Sequence, residues 1–308
     1  VLPVRAQASS GTMVNATFHH PVPEIRWRRI APCDHAAAAE LLNKGFGARH
    51  RRSFWHGLLD RLASRPVPAG LPNYGYLLES SGRPVGILLL IVALHRGAGG
   101  AQTIRFNVSS WYVEPAFRLY ASLYPAGVFQ HKTVTYLNVS PASNTEPIIE
   151  AQGWTRYSDG LFVAVPAVQW RDRVGPAVKI VADREPDSSC ADFERDLLVR
   201  HAAYGCVTFW CVTAERAYPF VFRRRLARGF LPCAQLVYCP DIADLVRFAG
   251  PIGRHLLGQG CPIVVLDANG RVPGLLGAHV NGLIPKYFKG PNPRLGDLAD
   301  TEAAMFGI

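Results

Sequence analysis

The sequence predicts an α/β protein of two halves with similar element order, and three observations carry that expectation. Strand and helix patterns alternate from Glu24 to Val165, the Pro-bounded stretch Pro166 to Pro176 interrupts them, and the same order restarts at Ala177. The length of 308 residues exceeds the usual single-domain size of about 100–150 residues. Hydrophobic residues make up 49% and charged residues 18% of the chain, enough apolar material for a sizeable core and too little charge for a disordered polypeptide. The expected division is a tail over residues 1–22, a first domain over 23–166 and a second over 177–308, with Val168 to Gly175 between the halves.

In the first half, Ile25 to Ile30 alternates as a strand, and Asp34 is a fit N-cap for the alanine-rich helix that follows. That helix is expected in two pieces, around Ala36 to Phe46 and Phe54 to Ala63, before Pro66-Val67-Pro68 ends it. Tyr74 to Glu79 and Pro84 to Leu94 flank Ser80-Ser81-Gly82-Arg83 and read as a hairpin. Thr103 to Val113 is a further strand, Leu119 to Gln130 a helix, Thr133 to Val139 a strand, and Glu146 to Glu150 a short helix ended by Gly153 before a strand near Leu161 to Val165. In the second half Ala177 to Ala182 reads as a strand, Cys190 to Tyr204 as a helix, and Val207 to Val212 with Tyr218 to Arg224 as a hairpin. Gln235 to Cys239, Ile242 to Leu257 and Ile263 to Asp267 complete it as strand, helix and strand, with Asn269-Gly270 as the turn after. Periodicity leaves Tyr218 to Arg228 open to a second reading, a helix closed by Gly229. The end of the chain, Lys286 to Pro291 and a short helix at Thr301 to Met305, carries no motif with an assignable mechanism.

Composition narrows the function classes. The longest apolar run, Val85 to Leu94, falls short of the roughly 20 residues of a membrane-spanning helix. Residues 1–12 lack the basic start and apolar stretch of a signal peptide and are set aside as a tail, with Met13 an alternative start; the expected location is cytoplasmic. Seven cysteines without a C-x-x-C pair read as reduced core residues. The formal charge of +10 leaves two basic clusters, Arg49-His50-Arg51-Arg52 and Arg223-Arg224-Arg225 with Arg228, each either a solvated face or one turned to an anion. His19-His20 lies in the tail, no H-x-x-x-H or H-E-x-x-H offers metal spacing, and neither a G-x-S-x-G elbow nor a Walker loop is present.

Val113-Glu114-Pro115-Ala116-Phe117-Arg118, at the end of the fourth strand, resembles the V-x-P-x-aromatic-R of the GNAT acyl-CoA N-acyltransferases. Asn144-Thr145-Glu146-Pro147-Ile148-Ile149-Glu150-Ala151-Gln152-Gly153-Trp154 resembles that family's Asn, helix, Glu and Gly-aromatic pair, and together the stretches cover about Glu24 to Pro166. The resemblance implies two tandem GNAT-like mixed-sheet halves, the second degenerate. It also implies transfer of an acyl group from acyl-CoA (acetyl-CoA), a co-substrate used without metal, to a small-molecule or peptide amine. In the family the fourth and fifth strands splay apart, which would put backbone N–H donors of Trp111, Tyr112 and Val113 on the thioester oxygen as negative charge builds there. Trp111 and Tyr112 also read as ordinary strand aromatics. Arg118-Leu119-Tyr120-Ala121-Ser122-Leu123 stands where the family has its pyrophosphate loop, Q/R-x-x-G-x-G/A. The arginine is kept, Ala121 and Leu123 replace the small residues, and the N–H groups of Tyr120, Ala121 and Ser122 would be offered at a helix start. Asn144 completes the implied cofactor set. A weaker likeness to that loop is Arg247 to Gly253.

Positions where relatives carry an acid and a tyrosine hold Asn107 and Ile149, leaving Glu114, His131, Tyr136 and Tyr120 as acid–base candidates. Each has a structural reading beside it: Glu114 as a turn charge, His131 as a helix C-terminal residue near Lys132, the tyrosines as core. A ligand pocket is expected where Trp111 to Val113 face Tyr136 to Val139. Two other functions stay open, aminoacyl transfer from charged tRNA, which the positive charge suits, and a non-catalytic binding or scaffold role.

Overall fold

A two-residue turn with both residues at positive φ sets the register of the first hairpin. β2 (Gly75–Ser80) and β3 (Arg83–Arg96) meet through Ser81 and Gly82, both at positive φ (48° and 81°), the two-residue geometry whose twist matches the strands. The structure, a computed structural model, describes residues 24–48, 50–96, 102–121, 133–142, 145–169, 178–182 and 190–307. β1 (Ile25–Arg29) pairs antiparallel with β2, and β4 (Gln102–Val113) lies antiparallel on the far side of β3. α1 (His35–Phe46) and α2 (Arg52–Ala63) cover one face, where Leu41, Leu58 and Leu59 bury against Leu77, Ile87, Leu89 and Ile91. Asp34 does not cap α1 with its side chain; it closes the Pro32–Asp34 3-10 turn by accepting the Ala31 N–H (2.8 Å) and holds Arg28 at 2.6 and 2.8 Å.

β5 (Thr135–Asn138), α3 (Glu146–Ala151) and β6 (Thr155–Ala164) complete the first half. The helix expected over Leu119 to Gln130 does not begin as an α-helix: Pro115–Tyr120 is a 3-10 segment that folds Phe117, Tyr120 and Ala121 back onto Val85 and Val113. The second half runs through β7 (Lys179–Val181), α4 (Asp192–Ala203), β8 (Val207–Val212), β9 (Ala217–Ala227) and β10 (Leu231–Tyr238). After β10 come α5 (Ile242–Arg247), α6 (Ala249–Gly258) and β11 (Ile263–Ala268). The open segment Tyr218 to Arg228 is therefore strand, with Phe220 and Phe222 packed under α6. The single helix expected from Ile242 to Leu257 is broken at Phe248, because Pro251 lacks the N–H that would bond Arg247 and fits only in a new first turn.

The sequence reading missed β12 (Gly277–Lys289), the strand that organises the centre. Among the described residues the twelve strands form one sheet in the order β1-β2-β3-β4-β5-β12-β6-β11-β10-β9-β8-β7. The sixth strand of each half crosses to the fifth strand of the other: β12 pairs antiparallel with β5 and β6 with β11, while β12 and β6 pair with each other. Period-2 alternation does not reveal β12, since its first part is exposed on both sides and Gly282 and Pro285 interrupt it.

After β12 the chain turns back across the sheet and ends in α7 (Glu302–Met305), which packs between the α1/α2 and α4 clusters. Buried ion pairs fix this terminal segment. Asp297 meets Arg105 (3.0 Å) and His95 (3.1 Å), and Asp300 meets Arg200 (2.8 Å). The Asp300 N–H also donates to His201 Nε2 (3.1 Å). Burial lowers the His201 pKa, in keeping with a neutral ring whose Nδ1–H donates to the Leu197 carbonyl (2.8 Å). Burial alone would raise the Asp297 pKa, but Arg105 and His95 outweigh it and hold the carboxyl well below the usual range.

Asp297→Asn should destabilise the protein by about 3–5 kcal/mol in urea unfolding at neutral pH, since it strands Arg105 at 3% exposure. Because the folded pKa of Asp297 is depressed, its contribution is present above the unfolded carboxylate pKa of about 3.9 and is lost as pH falls towards the folded value. The stability gap between wild type and variant should therefore narrow on acidification.

Candidate functional site

β4 and β5 run parallel but pair only from Arg105↔Thr135 to Val108↔Asn138, after which β4 continues to Val113 and β5 stops. The divergence begins at a bulge: between Leu88↔Trp111 and Leu90↔Val108, Ser109 and Ser110 of β4 oppose Leu89 alone on β3. Just beyond, the Glu114 N–H donates to the Val85 carbonyl (2.9 Å). Antiparallel alternation then turns the N–H groups of Trp111 and Val113 away from β3, towards the opening, and that of Tyr112 back onto β3. Of the three donors expected from the sequence, Trp111 and Val113 face the opening and Tyr112 does not.

A carboxylate from the far end of the chain reaches this opening. Glu302 Oε2 accepts the Ser109 hydroxyl on β4 and Oε1 accepts the Ser140 hydroxyl just past β5, both at 2.5 Å. The Glu302 N–H donates to Asn107 Oδ1 (2.6 Å), and Asn107 Nδ2 donates to the Leu137 carbonyl across the strands (3.2 Å). Glu302 is 1% exposed. Burial pushes its pKa up, and the two serine hydroxyls pull the other way without cancelling the rise. Sequence reasoning missed Glu302 because its partners lie more than 160 residues away. The available signal was an acid directly before the small apolar run Ala303-Ala304-Met305.

The second half opens the same way and is then shut. β10 and β11 pair in parallel only from Cys233↔Ile263 to Gln235↔Val265, and β10 bulges between Leu236 and Tyr238. Here the terminal segment enters as backbone: the Leu298 N–H donates to the Val237 carbonyl (2.8 Å), the Cys239 N–H to the Gly296 carbonyl (3.0 Å), and Tyr238 bridges Asp297. The second opening is sealed by main chain; the first receives a side chain.

Solved structures with this architecture include a GCN5-related N-acetyltransferase from Anabaena variabilis, 7% identical with a TM-score of 0.55, covering 86% of this chain and 72% of that one. A second, from Kribbella flavida, is 12% identical with a TM-score of 0.50, covering 87% and 71%. A third, a probable N-acyltransferase from Enterococcus faecalis, is 10% identical with a TM-score of 0.51, covering 90% and 73%. The chain has the GNAT fold. No family model matches the sequence, and no curated protein matches it.

Within that GNAT fold the other expected residues fall as follows. Glu114 is tied to Arg83 (3.0 Å) and Lys44 (3.3 Å); burial would raise its pKa, but these cations leave it lowered, which makes it a brace between α1 and the first hairpin and a poor base. Tyr136 is buried and stacks on Phe106 at 5.4 Å, in the cluster of Leu88, Leu90 and Val108. Arg118 is exposed, Leu119 is 89% exposed, and the Ala121 N–H is taken by the Arg118 carbonyl (3.0 Å) at an ordinary φ of −60°. The free amide expected at Ala121 is thus absent. His131, Ser122, Leu123 and Asn144 lie outside the described residues. The basic run Arg223 to Arg225 alternates across β9, with Arg223 donating to the Tyr204 carbonyl, Arg224 to Gln259 and Arg225 to Gln235, so it presents no single cationic face.

The expected pocket is met on one wall. A cavity of about 320 Å³ at the end of β5 is lined by Val139 and Ser140, but its other walls come from α3, β9, β10, the β12 bulge and α7, with none of Trp111 to Val113 among them. A larger cavity of about 880 Å³ lies between the halves against Arg105, Glu194 and Asp297. Arg105 is paired with Asp297, and Glu194 with Arg216 (3.4 Å).

Replacing Ser109 and Ser140 with alanine should raise the Glu302 pKa further, since both hydroxyls favour the charged carboxylate. Carboxyl-carbon NMR titration of glutamate-labelled protein, with Glu302→Gln to assign the signal, measures the displacement; an unchanged or lower midpoint would contradict the arrangement.

Proposed function

We propose that this chain is an N-acyltransferase that moves an acyl group from acyl-CoA to an amine, and that its working centre is the opening between β4 and β5. The observation that carries the reading is the contrast between the halves: one opening is sealed by main chain, while at the other β4 and β5 diverge and Glu302 reaches Ser109 and Ser140 with its side chain. The thioester would lie along the β4 edge with its carbonyl oxygen towards the N–H groups of Trp111 and Val113, donors already fixed in place before charge develops. Arg118 is the side chain free to meet the CoA phosphates.

In the reaction the amine nitrogen attacks the thioester carbon, the C–N bond forms, and the carbonyl oxygen becomes an oxyanion. The excess proton passes from nitrogen to Ser140 Oγ as Ser140 gives its own to Glu302. Collapse of the oxyanion breaks the C–S bond, and the proton held by Glu302 passes to the thiolate, which leaves as the CoA thiol and restores the carboxylate. Ser140 suits the relay because it lines the 320 Å³ cavity and already donates to Glu302. The upward displacement of the Glu302 pKa makes its carboxylate a stronger base than an exposed glutamate.

Calorimetry with acetyl-CoA tests the donor, and Arg118→Ala should weaken that binding about tenfold. Glu302→Gln should lower kcat by about 10²–10⁴ while CoA still binds. The acidic limb of the wild-type pH profile should sit above the ordinary glutamate range and disappear in the variant. Full activity in Glu302→Gln, or no acetyl-CoA binding beside salt-sensitive binding of charged tRNA, would overturn the assignment.

A further inference from the structure

The 320 Å³ cavity holds three ionisable side chains, and two of them are balanced within the protein. Lys286, 2% exposed, holds Asp267 at 2.5 Å. Glu146 accepts the Tyr287 hydroxyl (3.2 Å) and faces Arg156 (3.9 Å). Arg225 differs. Gln235, itself buried, accepts from one of its terminal nitrogens (2.6 Å), and among the described residues no carboxylate pairs with it. The cavity therefore carries a cation whose planar fork suits an oxyanion and whose orientation is set by Gln235.

Ser140, which contacts Glu302, lines the same cavity as Arg225, Gln235 and Lys286. The β12 bulge that forms another wall is strained at Ile284, a β-branched residue held at φ 53°. Backbone strain of this kind persists where the surroundings enforce it and gathers at ligand sites. The volume lies at the lower end of ligand cavities, which run from about 300 to 1,000 Å³, and so favours a compact occupant over an extended peptide.

We propose that this cavity is the acceptor site and that Arg225 selects compact amines carrying an oxyanion group, the amine turned to Ser140 and the oxyanion to Arg225. The inference rests on the acyltransferase reading, but the cavity assignment can be tested separately. On the full chain, binding of L-amino acids, their neutral amides, ethylamine and O-phosphoethanolamine is followed by saturation-transfer NMR, and their acylation by thiol release from acetyl-CoA. Amines bearing an oxyanion should exceed their neutral counterparts at least tenfold in kcat/KM. Arg225→Gln should erase that preference mainly through the acceptor KM, and Arg225→Lys should restore part of it. Preference for the amino acids identifies the oxyanion as carboxylate; preference for O-phosphoethanolamine identifies it as phosphate. Equal use of ethylamine, or a preference that survives Arg225→Gln, overturns the proposal while leaving the transferase intact. Oxyanion-dependent binding that requires Arg225 in a protein that does not bind acetyl-CoA would uphold the cavity and overturn the transferase.

Discussion

The passage of β12 between β5 and β6 is the constraint on which the rest of the molecule depends. β5 pairs with β4 over four residues and would otherwise be a short, exposed sheet edge. Each half lacks one neighbour that the other supplies, so the sheet is continuous only because both sixth strands cross. The crossing also decides where the chain must end. A strand inserted beside β5 delivers the following residues to the gap between the α1/α2 and α4 layers, directly over both strand openings, so one short segment meets two similar sites.

That segment is held by groups that are costly to bury. Arg105, Asp297, Asp300 and Glu302 are all nearly inaccessible, and a buried ion pair contributes little net stability while removal of one partner costs several kcal/mol. Their effect is therefore one of register. With Asp297 fixed on Arg105 and Asp300 on Arg200, the chain just beyond them leaves Glu302 over Asn107. Asn107 suits this place better than a carboxylate would: its oxygen accepts the Glu302 N–H while its nitrogen donates to the Leu137 carbonyl. An acid there would oppose the Glu302 charge at close range. A carboxylate reaches this place from another element, α7.

Local chemistry made much of the fold legible. Ser81-Gly82 and the apolar run Val85 to Leu94 announce a hairpin without help from distant residues, and Val113 to Arg118 marks the end of the fourth strand. What escaped depends on distant contacts. β12 has one exposed stretch and one buried stretch, because only its second part lies under the terminal segment, and no single period describes both. The direction of the Tyr112 N–H follows from the bulge at Ser109 and Ser110, which the strand pattern alone does not contain. Glu302 and Arg225 are ordinary charges until the fold places the first between two serines and the second in a cavity whose carboxylate, Glu146, is turned to Arg156 and Tyr287.

The two openings also differ in what lies beside them. At the end of β10 the chain turns through Pro240 and Asp241 into α5, and Asp241 spends its carboxylate on the Ala243 N–H (2.8 Å) while Asp244 follows one turn later. Burial raises the Asp244 pKa and Asp241 adds to the rise, while Arg216, Arg247 and Arg294 oppose it. With residues 296–298 hydrogen-bonded along β10, nothing would be gained by recruiting CoA there. The same terminal segment cannot withdraw from β10 without also drawing Glu302 from Ser109 and Ser140, since Gly296 to Glu302 is one short span pinned at both ends. Sealing the second opening and equipping the first are in this way a single structural event.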